Sequence, residues 1–417
     1  MLETRFVALY GCALVIISRK HFQSHCRLSF LTGSYLRTIR NTRSDSVETV
    51  KMLPLLCWNK IYVVICCICL VMVQINGTAP PLPRLLINPQ QISISGLSSG
   101  ADFAVQFHVA FSSILCGSGI FAGQPFHCAV TKFKNDTLVP STTKQPGSVP
   151  VCEGCPKGQT LMYDHCKNHP DVVDPMVLVN RTLEMAGNGD IDDVLELAVD
   201  QIYLYRGTKD ETYLKGSVEN VAKYFSYFVR NAEAQILFNN TTPSAHCWPL
   251  EDYGVPCGFQ GVGHELEKCN YDGPGAALNH IYSTPKLLPP AAKSNTRNLY
   301  YFDQSPFDLD NSVGLNLTGF IYIPEPCMSD SCKLHISLHG CSVNNYYDEA
   351  VHALSFNRWA ETNRMVVLYP RMAEHGTTTQ EKIGCWDAYA QTSPKYDTKE
   401  GIQMIAIREM IRRVANV

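Results

Sequence analysis

A stretch of alternating polar and apolar residues, followed by a mainly apolar stretch, predicts the first strand and helix of the folded domain. Gln91 to Ser95 alternate as a strand does, and Ala101 to Val109 have the apolar content of a buried helix. Further strands are predicted at Gly117–Gly123, Gln201–Arg206, Ala234–Phe238, Leu334–His339 and Met365–Tyr369. Helices are predicted around Val221–Phe228, at 356–362, and at the end of the chain, where Ile407, Met410, Ile411 and Val414 share one face. The alternation predicts an α/β fold whose mostly parallel central sheet has helices on both faces.

A different pattern occupies the first 79 residues. Lys60 precedes an apolar run from Ile61 to Val73, which is short for a membrane span, and small and polar residues follow up to Ala79. We interpret residues 52–79 as a signal peptide, residues 1–51 as an N-terminal extension without structure, and residues 80–417 as one catalytic domain. An uncleaved anchor is the alternative. Either reading makes the bulk of the chain extracellular or lumenal, and signal cleavage would leave no stable membrane association.

Composition agrees with an exported globular domain. The 417 residues are 45% hydrophobic and 18% charged, enough for a large core, and the net charge of −3 gives no reason to expect nucleic acid as a partner. Six of the 18 cysteines precede Ala79, and the even number that remains predicts disulfides. Glycosylation sequons begin at Asn135, Asn180, Asn239, Asn240 and Asn316.

Periodicity is absent from 128–175, a stretch rich in Lys, Pro, Gly and Cys that we interpret as a disulfide-tied insertion. Cys152, Cys155, Cys166 and His169 have the spacing of a small zinc site. In an oxidising compartment thiols at such spacing favour disulfides, so we predict neither a metal nor a cofactor.

The first strand and helix flank the pentapeptide Gly96-Leu-Ser98-Ser-Gly100, which fits G-x-S-x-G. In a nucleophile elbow, a sharp turn between strand and helix exposes one serine hydroxyl and requires small neighbours. An ordinary surface turn has the same composition. The strand before and the helix after favour the elbow, with Ser98 as the nucleophile.

An acid and a base follow two later strands. Asp210 lies just beyond the strand at 201–206, and His246 lies in the loop after the strand at 234–238. The order Ser98, Asp210, His246 is that of an α/β-hydrolase triad. Asp210 as a helix N-cap and His246 as a surface residue are the alternatives, and His264 competes as the base. We prefer His246 because it directly follows a predicted strand.

The segment His339-Gly-Cys341 ends a strand in the form of an oxyanion-hole loop, but in ordinary hydrolases that loop precedes the nucleophile. Circular permutation is the simplest explanation, with the old termini joined in a linker near Ser283 to Asn311. A separate second domain is the alternative. The fold prediction is therefore a circularly permuted α/β-hydrolase.

Five segments carry a family resemblance that covers Gln90 to the C-terminus: 94–100, 121–123, 269–273, 334–341 and 384–387. In this order they resemble the extracellular poly(3-hydroxybutyrate) depolymerases of the single-domain, circularly permuted type. The resemblance implies a serine esterase with a triad of Ser98, Asp210 and His246. It also implies an oxyanion hole from the backbone N–H groups of Ser99 and Cys341, and Trp386 lining the substrate groove. The cysteine-rich insertion and the sequence around His246 depart from the family pattern.

Two disulfides are predicted beside this site, Cys341 with Cys385 and Cys257 with Cys269. The first would clamp the oxyanion loop to the loop of Trp386. Three functions stay open: a secreted monomeric depolymerase of poly(3-hydroxybutyrate) or a related polyester, an esterase for small esters such as feruloyl groups, and a non-catalytic glycoprotein on the same scaffold.

Overall fold

The computed structural model describes residues 79–131, 133, 162–261, 265–342, 346–374 and 383–416, together with five short strands nearer the N-terminus. It divides into two compact units, Met1–Thr78 and Ala79–Val417. In the first unit, β1 (Arg5–Tyr10), β2 (Ala13–Ser18) and β5 (Met52–Pro54) form one antiparallel sheet. A hairpin joins β3 (Ser29–Thr32) to β4 (Tyr35–Thr38). The extension at 1–51 and the signal peptide at 52–79 stay predictions, and 55–78 lie outside the described residues.

Eleven strands of the second unit form two sheets. They are β6 (Ile87–Leu97), β7 (Gly117–Phe121), β8 (Gln201–Tyr205), β9 (Ile236–Asn239), β10 (Trp248–Leu250), β11 (Val255–Pro256), β12 (Leu266–Lys268), β13 (Leu299–Asp303), β14 (Thr318–Tyr322), β15 (Cys332–Leu338) and β16 (Met365–Tyr369). The central sheet has the order β13-β14-β16-β15-β6-β7-β8-β9, and β10-β12-β11 form a small sheet beside it. Only β14 runs against its neighbours in the central sheet, so that sheet is mostly parallel.

Helices cover both faces of the central sheet. They are α1 (Ser99–Ala110), α2 (Met162–Asn168), α3 (Pro175–Asn188), α4 (Ser217–Ser226), α5 (Ala232–Gln235), α6 (Gly273–Ile281), α7 (Tyr347–Ala353), α8 (Phe356–Asn363) and α9 (Ile402–Ala415). On β8, Ile202 and Leu204 join a core with α1, α3, α4 and α9, whereas Tyr203 and Tyr205 join a second core with α6, α7 and α8. Because adjacent strand residues point to opposite faces, these two cores are the two sides of one sheet, as the sequence predicted.

The connectivity is that of a circularly permuted α/β-hydrolase. Strand β6, which leads into the G-x-S-x-G segment, opens the sheet in chain order, yet it lies in the middle, between β7 and the late strand β15. The closing helix α9 ends beside the approach to β6, where the Leu85 N–H donates to the Val414 carbonyl at 2.8 Å. In an unpermuted chain this helix would lead directly into the nucleophile strand.

Three local predictions need correction. The strand predicted from Ala234 starts at Ile236, because Asn231 caps a helical turn by accepting from the Ala234 N–H at 3.2 Å. The linker predicted at 283–311 contains β13, an edge strand that pairs antiparallel with β14. The segment 128–175, predicted to lack periodicity, contains α2.

Four disulfides connect described cysteines: Cys128–Cys166, Cys257–Cys269, Cys327–Cys332 and Cys341–Cys385. Both predicted pairs are confirmed. Cys128 and Cys166 are buried in the core, so this bridge ties the start of the predicted insertion to α2 within it. Within the described part of the chain, no helix combines the length and apolar character needed to cross a bilayer.

Candidate active site

Ser98 occupies the sharp turn between β6 and α1. Its backbone lies at φ 57° and ψ −125°, a conformation that L-residues rarely adopt, and its N–H donates to the Phe121 carbonyl at 3.0 Å. A Cβ atom on Gly96 would lie 2.1 Å from the Gly100 carbonyl oxygen, and one on Gly100 would lie 2.3 Å from that of His339. The G-x-S-x-G glycines are therefore required by close packing, as in a nucleophile elbow.

Asp210 and His246 come together at the same edge of the sheet. They follow β8 and β9, which run parallel to β6, and the His246 Nδ1–H donates to Asp210 Oδ2 at 2.9 Å. The second oxygen, Asp210 Oδ1, accepts from the backbone N–H groups of Thr212 and Tyr213, both at 2.8 Å. Asp210 thus caps its own turn and also holds the imidazole.

The two loops are paired by backbone hydrogen bonds from Thr208 N–H to the Thr242 carbonyl and from Lys209 N–H to the Ser244 carbonyl. Nε2 of His246 is buried and has no hydrogen-bond partner among the described residues. The tautomer with a proton on Nδ1 leaves this nitrogen as an acceptor, as a general base requires. His264, the predicted competitor, lies outside the described residues.

Burial and neighbouring charge have opposite effects on the pKa values of His246 and Asp210. Burial disfavours the imidazolium, but the Asp210 carboxylate outweighs it and raises the pKa of His246 above the ordinary 6.5. Burial likewise opposes ionisation of Asp210, yet His246 and the two N–H donors lower the pKa of that carboxyl. The pair therefore favours its charged form, the state that follows proton transfer from a nucleophile.

The loop His339-Gly-Cys341 leaves β15 directly beside the elbow, since β15 is the parallel neighbour of β6 and Leu338 is in register with Gly96. Cys341 and Ser99 therefore lie at the same end of the parallel strands. These are the two residues predicted to form the oxyanion hole. Burial lowers the pKa of His339 to about 4, so its imidazole is neutral. Nδ1–H of that imidazole donates to the Gly340 carbonyl at 2.6 Å, and Nε2 accepts from the Met372 N–H at 3.0 Å, which fixes the start of the loop.

Trp386 lies against this loop but is fully buried. Its ring packs against Phe103 and His339, with centroids 5.1 and 5.4 Å apart, and its backbone N–H donates to Ser99 Oγ at 3.3 Å. The side chain is 0% exposed, so it forms no open groove wall in this structure. Its role in substrate binding stays a prediction.

Sequence reasoning missed four carboxyl and phenol groups around His246. Tyr213 stacks on the imidazole and donates to the Asp102 carboxylate, while Glu265 accepts a hydrogen bond from Tyr346 beside Gly340. Burial raises the pKa of both Asp102 and Glu265 to about 7. The one available signal was Asp102, a charged residue inside an otherwise apolar helix.

A fifth missed residue, Glu267, supports the base loop. It is fully buried and accepts hydrogen bonds from the N–H groups of Ala245 and Gly258. Together with Cys257 and Cys269 it has the geometry of a metal-ligand group among the described residues. Because those two cysteines form a disulfide, they offer no thiolates for a metal. Cys166 is bonded to Cys128, and Cys152 and Cys155 lie outside the described residues.

Three features of this site define the α/β-hydrolase class. A strained serine follows a central parallel strand, an Asp–His pair follows β8 and β9 on one side of that strand, and a His-Gly loop follows β15 on the other. No family model matches the chain. It is 33% identical over 341 residues to a poly(3-hydroxybutyrate) depolymerase of Delftia acidovorans, covering 80% of this chain and 62% of that protein. The chain thus spans less than two thirds of that relative's length.

A polyhydroxybutyrate depolymerase of Talaromyces funiculosus is 28% identical over 364 residues, covering 82% of this chain and 94% of that protein. Among solved structures, the crystal structure of PHB depolymerase from Penicillium funiculosum matches with a TM-score of 0.66 and 26% identity, covering 81% of this chain and 99% of that one. A serine-to-alanine PHB depolymerase complexed with an R3HB trimer gives the same values. Over about four fifths of its length the chain is therefore similar to poly(3-hydroxybutyrate) depolymerases in both sequence and structure.

Proposed function

We propose that the protein is a secreted serine esterase that hydrolyses poly(3-hydroxybutyrate) or a related polyester. The observation that carries the proposal is the hydrogen bond between His246 and Asp210 at the end of the sheet where the strained Ser98 follows β6. The names of the relatives support the polymer as the substrate class. The protein acts outside the cell as a monomer and uses neither a metal nor an organic cofactor.

The reaction is acyl transfer in two steps. Ser98 Oγ attacks an ester carbonyl while His246 Nε2 takes the hydroxyl proton, and Asp210 stabilises the resulting imidazolium. The tetrahedral intermediate collapses to an acyl-enzyme as His246 returns the proton to the leaving alkoxide, which departs as a hydroxyl chain end. Water then repeats the sequence and releases the carboxylic acid, regenerating Ser98.

The negative charge of each tetrahedral intermediate is held by the backbone N–H groups of Ser99 and Cys341. One such donor stabilises the transition state by about 3 to 4 kcal/mol, so the position of the loop that supplies it strongly affects the rate. The Cys341–Cys385 disulfide and the neutral His339 hold that loop against β15 and the Trp386 segment. In this role Cys341 acts through its amide, and its sulfur is structural.

The decisive experiment compares the secreted wild-type protein with Ser98→Ala on an amorphous poly(3-hydroxybutyrate) suspension. We expect the wild type to release soluble 3-hydroxybutyrate or its oligomers and the variant to lose about 10⁴-fold or more of that rate, as nucleophile removal does in serine hydrolases. The matched control is Ser113→Ala, which replaces an exposed serine just beyond the end of α1 and should keep the activity. Equal release by wild type and Ser98→Ala would refute the assignment.

Hydrolysis of small esters is the second candidate, and the burial of Trp386 favours it, since a fully buried indole offers no open surface to a polymer chain. An esterase of this kind would cleave p-nitrophenyl butyrate or a feruloyl ester in a Ser98-dependent manner but release nothing from the suspension. Running both substrates with the same three proteins separates the two candidates.

A further inference from the structure

Tyr213 contacts His246 and Asp210 of the proposed catalytic machinery and also reaches Asp102 on α1. Its ring is parallel to the His246 imidazole, with an interplanar angle of 1° and centroids 5.5 Å apart, an offset stack. Its backbone N–H donates to Asp210 Oδ1 at 2.8 Å, and its hydroxyl donates to Asp102 Oδ2 at 2.5 Å. The residue is completely buried.

Asp102 belongs to the helix that begins at the nucleophile. Its N–H donates to the Ser98 carbonyl at 2.9 Å, so the two residues share the first turn of α1. All 12 residues of this helix are buried, and a carboxyl group in such surroundings is costly unless hydrogen-bonded. The donors to its carboxylate are the Tyr213 hydroxyl and the Gln124 N–H, the latter at 2.9 Å.

The imidazole needs a second constraint besides Asp210. A single hydrogen bond at Nδ1 fixes one point of the ring, but the ring can still tilt about that bond and move Nε2. The flat Tyr213 ring fixes the imidazole plane, and the Asp102 bond fixes the Tyr213 ring to the nucleophile helix. Positional errors of this kind are costly, since about 1 Å of misplacement lowers a rate by up to 10²-fold.

We propose that Tyr213, anchored by Asp102, is a positioning residue that fixes Asp210 and His246 relative to α1. The inference rests on the proposed hydrolase function of Ser98, His246 and Asp210. Tyr213 does not reach the substrate in this role. It acts by fixing the direction in which His246 Nε2 points.

The kinetic test uses a soluble ester, p-nitrophenyl butyrate, and two substitutions of graded severity. Tyr213→Leu removes the stacked ring, and we expect kcat to fall about tenfold or more with KM within about twofold, because orientation rather than binding is lost. Tyr213→Phe keeps the stacked ring but loses the anchoring hydrogen bond, and we expect its kcat to lie between those of Tyr213→Leu and the wild type. Tyr224→Phe is the matched control, a fully buried tyrosine whose hydroxyl bonds to Thr182 Oγ1 at 2.7 Å, and its kcat should equal that of the wild type.

A near-isosteric double-mutant cycle covers the case in which Tyr213→Leu fails to fold. Tyr213→Phe and Asp102→Asn each disturb the same hydrogen bond, so their effects on kcat should be less than additive in the double variant. Fully additive effects would show that the bond does not transmit position to the nucleophile helix and would overturn the anchor.

An NMR measurement of the histidine ring signals needs no substrate, and it therefore separates this inference from the proposed function. The His246 ring signals, assigned by their loss in His246→Asn, should carry a ring-current shift in the wild type and in Tyr213→Phe that disappears in Tyr213→Leu. The groups facing the imidazole are Asp210, Glu265 and Asp102, and all stay present in both Tyr213 variants. Unchanged His246 signals in Tyr213→Leu would overturn the positioning role, whereas a wild type that cleaves no ester but shows the shift would overturn only the function.

Discussion

A hydrogen-bonded serine, histidine and aspartate also occur among the described residues away from the proposed Ser98 site. His108 lies between Ser118 Oγ and Asp200 Oδ2, at 2.8 and 2.9 Å, which is the hydrogen-bond pattern of a triad. All three residues are at most 2% exposed, and Ser118 and Asp200 lie at the start of β7 and just before β8, away from the edge where Ser98 emerges. This buried trio ties the end of α1 to the sheet. A triad geometry therefore needs an accessible serine before it indicates catalysis.

The acid side of the pH profile belongs to His246. Its raised pKa means that the imidazole is protonated, and unable to accept the Ser98 proton, up to a higher pH than an ordinary histidine. We therefore expect kcat/KM for a soluble ester to fall as the pH drops through a value above 6.5. A midpoint below that value would contradict the electrostatic account.

Glu265 contributes to that shift, since its carboxylate faces His246 and raises the pKa of the imidazole. Glu265→Gln removes the negative charge, and we expect the acid limb to move to lower pH while the plateau kcat stays within about threefold, because the group does not touch the reacting atoms. The matched control is Glu251→Gln, an exposed residue on the neighbouring turn, which should leave the limb unmoved. Identical profiles for both variants would remove Glu265 from the site's electrostatics.

At the scale of elements, the site is assembled from loops at one end of parallel strands, and disulfides fix two of these loops. Cys257–Cys269 closes the loop that leads to Glu265 and Glu267, and the Trp248 N–H donates to the Glu265 carbonyl at 2.7 Å. This ties the start of β12 to β10, the strand of the small sheet that follows His246. Cys341–Cys385 does the same for the oxyanion loop, where the Ser342 N–H donates to the Ile383 carbonyl.

Removal of the second bridge should affect stability and rate together. Cys341 and Cys385 are 44 residues apart, so replacing both by serine should lower the free energy of unfolding by about 4 kcal/mol in the chain-entropy account. Loss of oxyanion geometry should also lower kcat by about tenfold or more. Thermal unfolding and steady-state kinetics on a soluble ester measure the two effects.

Cys327–Cys332 supplies the control for that experiment, because it closes only 5 residues and lies at the start of β15, at the opposite end of the strand from His339. Its double serine variant should lose about 2 kcal/mol with kcat unchanged. An equal loss of kcat in both pairs would mean that the Cys341 bridge affects activity only through global stability.

At the scale of the whole molecule, permutation has left the strands around β6 in the arrangement of an α/β-hydrolase. The strand order and the parallel register around β6 depend on which strands are neighbours, and chain order does not alter them. The helix that ends the described chain is bonded to the segment before β6, by Leu85 to Val414 and by Arg413 to the Leu82 carbonyl at 2.8 Å. Ends this close can be joined by a short linker.

Reversal of the permutation should therefore give a folded enzyme. A variant that begins at Ser294, passes from Asn416 to Ala79 through a short Gly/Ser linker and ends at Lys293 opens the chain in an exposed stretch between α6 and β13. We expect native near-UV circular dichroism and kcat/KM on a soluble ester within about tenfold of the parent, because every sheet neighbour is retained. A control opened inside β8 should not fold, and failure of both variants would show that the connection at 293–294 is itself required.

The sequence by itself determined the local structure and the order of the chemistry. Hydrophobic periodicity located most of the central strands and the long closing helix, because burial on a strand or helix repeats over a few residues. The elbow was predicted from Gly96 and Gly100, because a sharp turn requires small residues at positions that are close in the sequence. The permutation followed from finding the His-Gly strand after the nucleophile strand. The Cys341–Cys385 and Cys257–Cys269 pairs were also predicted and are present.

Only the tertiary structure decided which distant groups share one environment. Asp102 and Tyr213 are 111 residues apart, and no periodicity links them, yet their hydrogen bond connects α1 to the loop that carries Asp210. The burial of Trp386, the approach of Glu265 to His246 and the enclosure of Ser118 likewise depend on how the loops and helices pack on the sheet. Packing brings the Tyr213 hydroxyl to 2.5 Å from Asp102 and the Tyr213 ring to 5.5 Å from the His246 ring, and contacts of this kind leave no repeating signal along the chain.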